Sequence, residues 1–590
     1  MGKNALKKLG RRDFLRISGL ATVGILAGYP PIAPSIPTAD LVLMNGKIIT
    51  LDPVDSITQS VAVKKGKILE VGENERISRY IGPGTEVVDL SGKTVTPGLI
   101  DSHAHLPFFG LRENGWFVKL QGVVSKDEIL ELLAQRAGKT PRGEWISAWG
   151  VESLSLHFLN KNDLDRVTTE HPMLVVSTGG QWGFANSHAL RIAGINTYTA
   201  SPPGSRIIKD PSTGEPTGLL IHYPALSLVR RHMPIPDDDQ AEDALLYAAN
   251  LYSAEGVTAV HDNFFSLGSP CFHKAYFELA AQEKMPLRMK LWAYMPNLHI
   301  SSWVLQALFE SKDLYPKSRI KELIFYKREN PQLFASLWGG FKLAVDGGGP
   351  TTHWYRKPGI CLHKPEELHG MFKCFHRAGH QVSVHAVGDK AVDLILDVIE
   401  SANRDYPRKG PRHRIEHALS PKTYSLERMN RLGVVVSTHP QWFFAWGDKW
   451  SGLKMREDFF GVIPLKSYLR SNISLALGAD PPAFPLYKPQ VALAEAVNRV
   501  TRGGYHFDSA ESISIQEALR IQTMGSAYAG FQEDEMGSIE KGKLADMVIW
   551  DRDFYTVAPD KMRDMRAEMT ILGGKIVYRH HGTGRKGANS

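Results

Sequence analysis

Two kinds of apolar pattern divide the chain. Residues 40–94 carry short runs in which apolar and polar positions alternate, such as LVLMNGKIITL, separated by Asn-Gly and Lys-Gly pairs. Alternation with period two, broken by such pairs, predicts strands joined by hairpin turns. The same pattern returns near the other end, in GSIEKGKLADMVIWD and MTILGGKIVYR. We therefore predict one small composite β-sandwich domain built from residues 40–94 and 531–580.

Between these flanks, the apolar positions form about eight short bursts that alternate with helical stretches. Strands that alternate with helices predict parallel βα units. Eight such units favour a closed barrel over an open sheet. We therefore predict an α/β fold, a TIM-like (β/α)8 barrel over residues 95–530. The bursts are PGLIDSHAHL, GVTAVHD, MKLWAY, GGFKLAVDG, HQVSVHAVGD, HRIEHA, GVVVSTHP and SLALGADPP.

Residues 106–250 do not follow this rhythm. They lie between the first and second bursts and contain Gly and Pro turns of their own. Loops that follow the strands of a (β/α)8 barrel form its functional face. We therefore predict an insertion of mixed structure after barrel strand 1, placed where it can cover a bound substrate.

Residues 1–39 have the pattern of a targeting segment. GRRDFLRISGLATVGILAGYPP combines a paired arginine, a Phe-Leu pair and an apolar run that is too short to span a bilayer. This arrangement resembles the twin-arginine export signal of bacteria, and a plain basic amphipathic N-terminus is the alternative. The resemblance implies the twin-arginine export machinery as a partner, cleavage after Ala27 or Ala39, and a periplasmic or extracellular protein. No later stretch reaches the roughly 18 apolar residues of a membrane helix, so we expect no stable membrane insertion.

Composition and charge exclude several classes of protein. With 43% hydrophobic and 22% charged residues among 590, the chain has the composition of a globular protein rather than a disordered one. Outside residues 1–39, 64 basic residues stand against 61 acidic ones, so no excess of basic residues indicates nucleic acid as a partner. Three widely spaced cysteines indicate neither a disulfide framework nor a cysteine-type zinc cluster. One disulfide remains an open alternative.

Polar residues at the ends of the bursts are the candidates for chemistry. His103 and His105 are two positions apart, so on a strand both imidazoles point to the same side and can bind one metal ion. A His-x-His pair alone is weak evidence, since 22 histidines in 590 residues produce about one by chance. In a (β/α)8 barrel, however, the chemistry lies where strands end, so several such residues together predict a metal centre. The other four are Lys342, His385, His417 and Asp480.

Each of these four residues also has a structural explanation. His385 and His417 could be core histidines, Lys342 a lysine that extends its amine to the surface, and Asp480 a helix cap before Pro481. The explanations are individually reasonable. They are less satisfactory together, because all four residues fall where the barrel places its functional groups.

The same segments resemble a known family. PGLIDSHAHL, VHAVGDKAVDLILDVI, RHRIEHA, LGADPP and GSIEKGKLADMVIWD are similar to the metal-dependent amidohydrolase superfamily, specifically the YtcJ-like branch of amidohydrolase family 3. The resemblance runs from about residue 40 to residue 578. It implies a barrel that binds divalent metal and hydrolyses carbon–nitrogen bonds other than peptide bonds in a small-molecule substrate.

The resemblance also implies a set of metal ligands. His103 and His105 would bind one ion, and His385 and His417 a second, which gives two zinc ions per chain. Lys342, carbamylated on its amine, would bridge the two ions, since an ammonium has no lone pair and a carbamate is a bidentate anion. Asp480 would complete the first site.

The implied mechanism is attack of a metal-bound hydroxide on a carbonyl. A metal ion lowers the pKa of bound water toward about 7, so that Asp480 can take its proton. Asp480 would then return that proton to the departing nitrogen.

Several positions depart from the pattern of the branch. The insertion usually shows a histidine where GGQWGFANSHAL has Gln181 followed by Trp182, and strand 7 commonly ends in Gln-Pro where this chain has His439. We predict that Gln181 and His439 touch the substrate, so the departures leave the specific substrate open. Trp182 could form a wall of an apolar substrate pocket, and core packing is the alternative, which is the more common role of such an aromatic residue.

Two further residues are candidates for substrate contact. Asp346 lies four positions after Lys342, so it shares that face of a strand, or it caps the following glycine turn. His261 ends the burst GVTAVHD, where a structural role is an equal alternative. Both residues have one functional and one structural explanation.

The leading hypothesis for function is an exported, metal-dependent hydrolase of an amide or an N-substituted formamide. One alternative is an ester or lactone hydrolase with the same metal centre, because only the leaving group differs. A second alternative, from another class, is a non-catalytic exported solute-binding barrel, since fold alone does not determine function.

Overall fold

The computed structural model describes residues 36–123, 125–152, 158–266, 269–296, 298–305, 321–348, 351–454, 462–483 and 486–580. Residues 1–35 of the predicted export signal lie outside these ranges, so that signal stays a prediction. Among the helices within these ranges, none combines the length and the apolar character needed to cross a bilayer.

Eight parallel strands form the central sheet. Each strand pairs with its neighbours in chain order, and the last strand lies beside the first, so the sheet nearly closes into a barrel. The predicted α/β barrel is therefore confirmed, and each of the eight apolar bursts overlaps one of its strands. Barrel strands 1 to 8 are Leu99–Ala104, Val257–Phe265, Arg288–Tyr294, Trp338–Ala344, Val382–Ala386, Arg414–His417, Val435–Thr438 and Ser474–Leu477.

Polar contacts close the seam between barrel strands 8 and 1. The backbone N–H of Asp480 donates to the carbonyl oxygen of His103 at 2.7 Å. Oδ1 of Asp101 accepts the N–H groups of His103 and Ala479, at 2.9 and 3.0 Å. The side chain of Gln522 donates to carbonyl oxygens on both strands. The seam therefore places Asp480 beside His103 through the backbone itself.

Helices surround the barrel. Helix Asp238–Ala254 begins with a capping box, in which Asp237 and Gln240 each accept the other's N–H. It packs against helix Leu106–Glu113, where a Cβ on Gly110 would lie 1.9 Å from a carbonyl oxygen of the neighbouring helix, so only glycine allows this approach. The other helices of this region are Pro270–Ala281, Leu298–Leu305, Lys321–Glu329, Pro331–Leu337, Pro365–Arg377, Asp389–Asp405, Thr423–Arg431, Gln441–Lys454, Leu465–Arg470, Pro489–Asn498, Ile515–Arg520 and Ser526–Ala529, with a π-turn at Ile521–Gly525 and a 3-10 turn at Ser509–Glu511.

The segment after barrel strand 1 forms a separate mixed sheet with its own apolar core. Its strands, in spatial order, are Arg206–Lys209, Pro216–Ile221, Trp182–Ala185, Met173–Ser177, Ile146–Val151 and Val118–Lys119. Its helices are Lys126–Ala137, Lys161–Val167, Ser187–Ile192 and Tyr223–Arg230. Helix Asp238–Ala254, which the sequence assigned in part to the insertion, packs on the barrel helix Pro270–Ala281 instead. The domain boundaries drawn from the sequence stay predictions.

Strands from the two ends of the chain share sheets. Strand Thr94–Pro97 pairs antiparallel with Met547–Trp550, which joins residues at least 450 positions apart. Apolar residues of both flanking sheets form one common core. One sheet contains Lys67–Gly72, Ser60–Lys64, Leu41–Met44 and Glu86–Asp89, and the other Lys575–Arg579, Ala567–Leu572, Met547–Trp550, Thr94–Pro97, Lys47–Ile49 and Ile57–Thr58. The short turns beside them are Asn74–Ile77, Ser78–Tyr80 and Pro559–Asp564.

The three cysteines are all free thiols. The single disulfide that the sequence left open therefore does not form. Burial raises the pKa of Cys361 to about 11, so this thiol is neutral at ordinary pH and a poor metal ligand.

Candidate metal centre

The candidate ligands converge at one end of the barrel. Their elements are barrel strands 1, 4, 5 and 6 and the turn after strand 8. His417 and Asp480 have φ angles of 78° and 56°, which are unfavourable for residues with a side chain. Such strain is typical of positions where the direction of a side chain matters. The candidate ligands at this end are His103, His105, Lys342, His385, His417 and Asp480.

His103, His105 and Asp480 form the first group of donors. Nε2 of His105 lies 3.0 Å from Oδ1 of Asp480, and Nε2 of His103 lies 3.6 Å from the same oxygen. Nδ1 of His103 lies 2.6 Å from Oε2 of Glu416, and a carboxylate only accepts, so Nδ1 carries the proton. His103 therefore presents the lone pair of Nε2 to the group. One donor atom from each of the three residues lies within 4.8 Å of the others.

A chain of hydrogen bonds orients His417. Nδ1 of His439 lies 2.8 Å from the carbonyl oxygen of Gly478, so this nitrogen carries the proton. Nε2 of His439 therefore accepts, and it lies 2.9 Å from Nδ1 of His417. His417 thus presents the lone pair of Nε2, which lies 2.8 Å from Nδ1 of His385. The ring of Trp442 stacks on His439 and on His417 and keeps both rings in place.

Burial keeps these histidines neutral. Burial lowers the pKa of His103, His385 and His417 well below the usual range, and neighbouring positive groups, including the Lys342 amine, lower it further. The pKa of His439 is lowered by the same main cause. A neutral imidazole keeps a lone pair and a protonated one does not, so the cluster can bind a metal ion at neutral pH.

Lys342 is buried among these groups. Its Nζ makes no hydrogen bond to any described residue. Burial lowers its pKa to about 8, although the carboxylate of Glu416 acts in the opposite direction. A buried lysine with a lowered pKa spends more time as the neutral, nucleophilic amine.

Sequence reasoning missed Glu416. This residue precedes His417 on barrel strand 6, is fully buried, and accepts from Nε of Arg414 at 2.8 Å and from Oγ of Ser383 at 2.7 Å. Burial disfavours its charge, but Arg414 and Lys342 outweigh burial and the pKa falls to about 2. The segment HRIEHA could have indicated this role. Its charged residues Arg414 and Glu416 occupy alternate positions of a strand, so they share one face, and charged residues are seldom buried without a partner.

Asp346 anchors the loops after barrel strands 4 and 5. Its carboxylate accepts the backbone N–H groups of His353, Val387 and Gly388 at 2.9, 3.0 and 3.0 Å. These partners differ from the glycine turn that the sequence suggested. Burial raises the pKa of Asp346 to about 7, and the three N–H groups act in the opposite direction. Its Oδ1 lies 3.7 Å from Nε2 of His385, which is beyond hydrogen-bond length.

The insertion brings Gln181 to the barrel and places Trp182 elsewhere. The side-chain oxygen of Gln181 accepts the N–H of Gly348, in the turn after barrel strand 4. Trp182 is buried in the core of the insertion, with its ring 5.7 Å from that of Phe184. Of this predicted pair, the structure therefore brings only Gln181 into contact with the turn after barrel strand 4.

The predicted end of barrel strand 2 was wrong. The strand continues to Phe265, which pairs with Ala293 beyond a register shift, so His261 lies within the strand rather than at its end. His261 is fully buried, and its Nδ1 lies 3.1 Å from a guanidinium nitrogen of Arg414. The sequence did not show this because the polar Asp-Asn pair interrupts an apolar run that the sheet nevertheless continues.

His222 is a second residue that sequence reasoning missed. It precedes helix Tyr223–Arg230 with a φ of 68°, is fully buried, and makes no hydrogen bond of ordinary geometry to the described residues through either ring nitrogen. Burial lowers its pKa to about 4, and the backbone of Ile360 opposes this shift. Its Cε1 lies 2.6 Å from the position that a Cβ on Gly347 would occupy. The sequence feature that could have identified His222 as a candidate is its position directly after the apolar run GLLI.

The residues present fit a divalent metal ion. Buried polar atoms without a hydrogen-bond partner are uncommon in proteins, and several of them lie together among the candidate ligands. A bound metal ion would give such atoms a partner. Imidazole and carboxylate are ligands typical of zinc, whereas Lys342 can join them only after losing its positive charge. The unpartnered atoms are Nδ1 of His105, Nε2 of His385, Nζ of Lys342 and Oδ1 of Asp480. A second group of donors within 4.8 Å of one another comprises His103, His417 and His439.

Most of the chain matches known proteins. Residues 86–578 match the model of the amidohydrolase family. Over 569 residues, the chain is 32% identical to protein LONG AFTER FAR-RED 3 of Arabidopsis thaliana, with 92% of each chain covered. Over 569 residues, it is 28% identical to the N-substituted formamide deformylase of Arthrobacter pascens, with 92% of this chain and 99% of that protein covered.

The fold has a counterpart among solved structures. An uncharacterised metal-dependent hydrolase from Pyrococcus horikoshii OT3 superposes with a TM-score of 0.65. The two chains are 23% identical, and the match covers 88% of this chain and 99% of the other. At this identity, the similarity supports the barrel architecture.

Proposed function

This chain belongs to the amidohydrolase family and is a hydrolase of carbon–nitrogen bonds other than peptide bonds, and we propose that its substrates are amides of the N-substituted formamide type. The observation that carries this proposal is the cluster of neutral histidines with Lys342 and Asp480 at one end of the barrel. The similarity to an N-substituted formamide deformylase supports the choice of amide.

The family is typically metal-dependent, and the proposal includes two zinc ions and a carbamate on Lys342. The ions would be held by His103, His105 and Asp480 on one side and by His385 and His417 on the other. When bound, they would polarise the substrate carbonyl and lower the pKa of nearby water. The pKa of about 8 for Lys342 supports the carbamate, because only the neutral amine reacts with carbon dioxide.

Asp480 moves the proton in this reaction. Its Oδ1 has no hydrogen bond to a described residue and faces both His105 and His103, so the carboxylate would lie beside the attacking water and accept its proton. The water oxygen joins the carbonyl carbon, the carbon–nitrogen bond breaks, and Asp480 returns the proton to the departing nitrogen. The carboxylate ends the cycle as it began.

Of the substrate contacts predicted from sequence, Gln181 is the one that we retain. Trp182, His261, His439 and Asp346 are each occupied by partners within the protein. The oxygen of Gln181 is occupied too, by the N–H of Gly348, but this bond is where the insertion meets the turn after barrel strand 4, so we propose that Gln181 borders the substrate there.

A substrate panel tests the proposed activity. N-alkyl formamides, the matching acetamides and the matching formate esters are offered to wild type and to Asp480→Asn, with the exposed Asp534→Asn as control. We expect amine release from formamides by wild type and by the control, and a rate about 10²–10⁴ lower in Asp480→Asn. Turnover of esters alone would show an ester hydrolase. Ligand binding without turnover or bound metal would show a solute-binding barrel.

We also propose export, which the arginine pair of residues 1–39 supports. The enzyme would cross the membrane through the twin-arginine machinery and act in the periplasm or outside the cell. Replacing Arg11 and Arg12 by lysine is expected to retain the full-length protein in the cytoplasm, measured by cell fractionation. Equal export of this variant would contradict the proposal.

A further inference from the structure

One face of helix Tyr223–Arg230 in the insertion is not packed into its core. Leu226 and Val229 are buried in the core, whereas Ser227 is exposed. Tyr223 and Arg230 are seven positions apart, about two helical turns, so they lie on the same face as Ser227. Both side chains are only partly covered. This face therefore lies outside the core of the insertion, and Ser227 on it is exposed to solvent.

Tyr223 places this face beside the barrel. Its ring lies 5.7 Å from that of Phe264 on barrel strand 2 and 5.8 Å from that of Tyr294 on barrel strand 3. Burial raises the pKa of Tyr223 to about 12, and both Arg230 and Asp480 are near enough to influence it. Tyr223 is therefore near both the arginine and the carboxylate to which we assign proton transfer.

A continuous strip of aromatic rings leads from the metal centre to Arg230. The ring of Phe264 lies 5.7 Å from His105 and 5.8 Å from Phe108. Phe108 in turn stacks on Trp149 at 5.7 Å, and the guanidinium of Arg230 lies over Trp149 at 5.7 Å. The strip therefore offers an apolar path that ends at a positive charge.

Arg230 has no counter-ion among the residues that the structure describes. Within the described part of the chain, its one hydrogen bond goes to the carbonyl oxygen of Gly180, at a long 3.4 Å. Tyr223 is the one described ionisable group whose charge acts on Arg230, and no described carboxylate does so. Burial lowers its pKa to about 10, but the guanidinium stays charged at neutral pH. A desolvated cation without a counter-ion costs free energy, which an anionic ligand can offset.

We propose that Arg230 forms a recognition subsite for a carboxylate on the nitrogen substituent of the substrate. This inference rests on the proposed function and deepens it, since it names the substrates as N-formyl amines that carry an acid group. The scissile amide lies at the metal centre, the substituent follows the aromatic strip, and its carboxylate meets the planar guanidinium, which pairs with both oxygens at once. A lysine would supply the charge without this two-point geometry.

Matched substrates test the subsite. A series of ω-formamido carboxylates of increasing chain length is compared with N-alkyl formamides of the same length, in wild type and in Arg230→Met. The matched control is Arg231→Met, because Arg231 is the exposed arginine directly after the same helix. We expect wild type and control to prefer one length of the acid series, and Arg230→Met to lose that preference by about tenfold or more in kcat/KM. Turnover of the neutral series should stay within about twofold.

Two results would overturn the inference. An equal loss for acid and neutral substrates in Arg230→Met would mean that Arg230 only supports the insertion through Gly180 and Trp149. No preference for any acid in wild type would remove the subsite. If neither series is hydrolysed, the proposed reaction fails instead, and calorimetric binding of the carboxylates to wild type and Arg230→Met still decides whether the subsite exists.

Discussion

Nε2 of His439 lies 2.9 Å from Nδ1 of His417, and this contact decides which nitrogen of His417 carries the proton. The carbonyl oxygen of Gly478 holds the proton of His439 on Nδ1, so Nε2 can only accept. His417 is then left with a lone pair on Nε2, directed toward His385. The histidine after barrel strand 7 therefore acts on the metal centre through its neighbour, as a positioning residue.

The first prediction concerns metal affinity. His439→Leu removes the acceptor for His417 and is expected to weaken zinc binding by about 10–100-fold, as loss of such supporting partners typically does. His439→Gln keeps an oxygen acceptor and is expected to stay close to wild type. Competition against a chromophoric chelator measures both. Equal affinity of His439→Leu and wild type would contradict the relay, and the exposed His232→Ala controls for loss of any histidine.

The second prediction concerns acid stability. The pKa of Glu416 is about 2 in the folded protein because Arg414 and Lys342 outweigh burial. Since this value lies below that of an unfolded glutamate, the carboxylate contributes its full stability above about pH 4.5 and loses it as the pH falls toward 2. The contribution is about 3 kcal/mol.

Glu416→Gln should lack this pH-dependent part. We expect the variant to be less stable at pH 6, because Arg414 loses its partner, and to lose less stability than wild type between pH 5 and pH 3. Denaturant unfolding of chelator-treated protein measures this, so that metal release adds nothing. The exposed Glu427→Gln should follow wild type. Parallel curves for Glu416→Gln and wild type would refute the prediction.

The third prediction concerns metal content. Lys342→Ala removes the proposed bridging ligand, so elemental mass spectrometry of protein purified without chelator should fall from near two ions per chain to one or fewer. The exposed Lys364→Ala should remain near two. About one ion in both wild type and Lys342→Ala would exclude the carbamate bridge but leave a mononuclear hydrolase.

The fourth prediction concerns the contact between insertion and barrel. A Cβ on Gly347 would lie 2.2 Å from Oγ1 of Thr351, 2.6 Å from His222 and 2.8 Å from Gln181. Gly347→Ala should therefore displace the insertion, cost about 1–3 kcal/mol of stability and raise KM. Gly348→Ala is the matched control, since its Cβ would meet only Gln181, at 3.4 Å. Equal thermal midpoints and KM values for both variants would contradict this account.

The barrel could be predicted because the pattern that indicates each of its strands lies within a few neighbouring residues. Each strand is a short apolar run followed by a polar residue, and the position of a polar residue after such a run places it at the functional end of the barrel. His103, His385, His417 and Asp480 could therefore be recognised together, by the position that they share, although none was convincing alone. Membership of amidohydrolase family 3 rests on the same segments and is confirmed by the family match.

Other features depend on residues far apart in the chain. No residue near His439 in the sequence shows that it orients His417. That no described carboxylate pairs with Arg230 becomes visible only when its neighbours are in place. Barrel strand 2 continued past His261 because pairing with its neighbour outweighed the polar interruption.

The sequence by itself therefore determined the order of the strands, the family, and which polar residues follow an apolar run. These features depend on residues that are close together in the chain, because the period of the apolar positions predicts each strand and shows where it ends. Only the tertiary structure decided which nitrogen of His103, His417 and His439 carries the proton. It also decided the pKa values of Lys342 and Glu416, and that no described carboxylate pairs with Arg230. Those properties arise from burial and from charges that the chain brings together across hundreds of residues, and no local pattern records them.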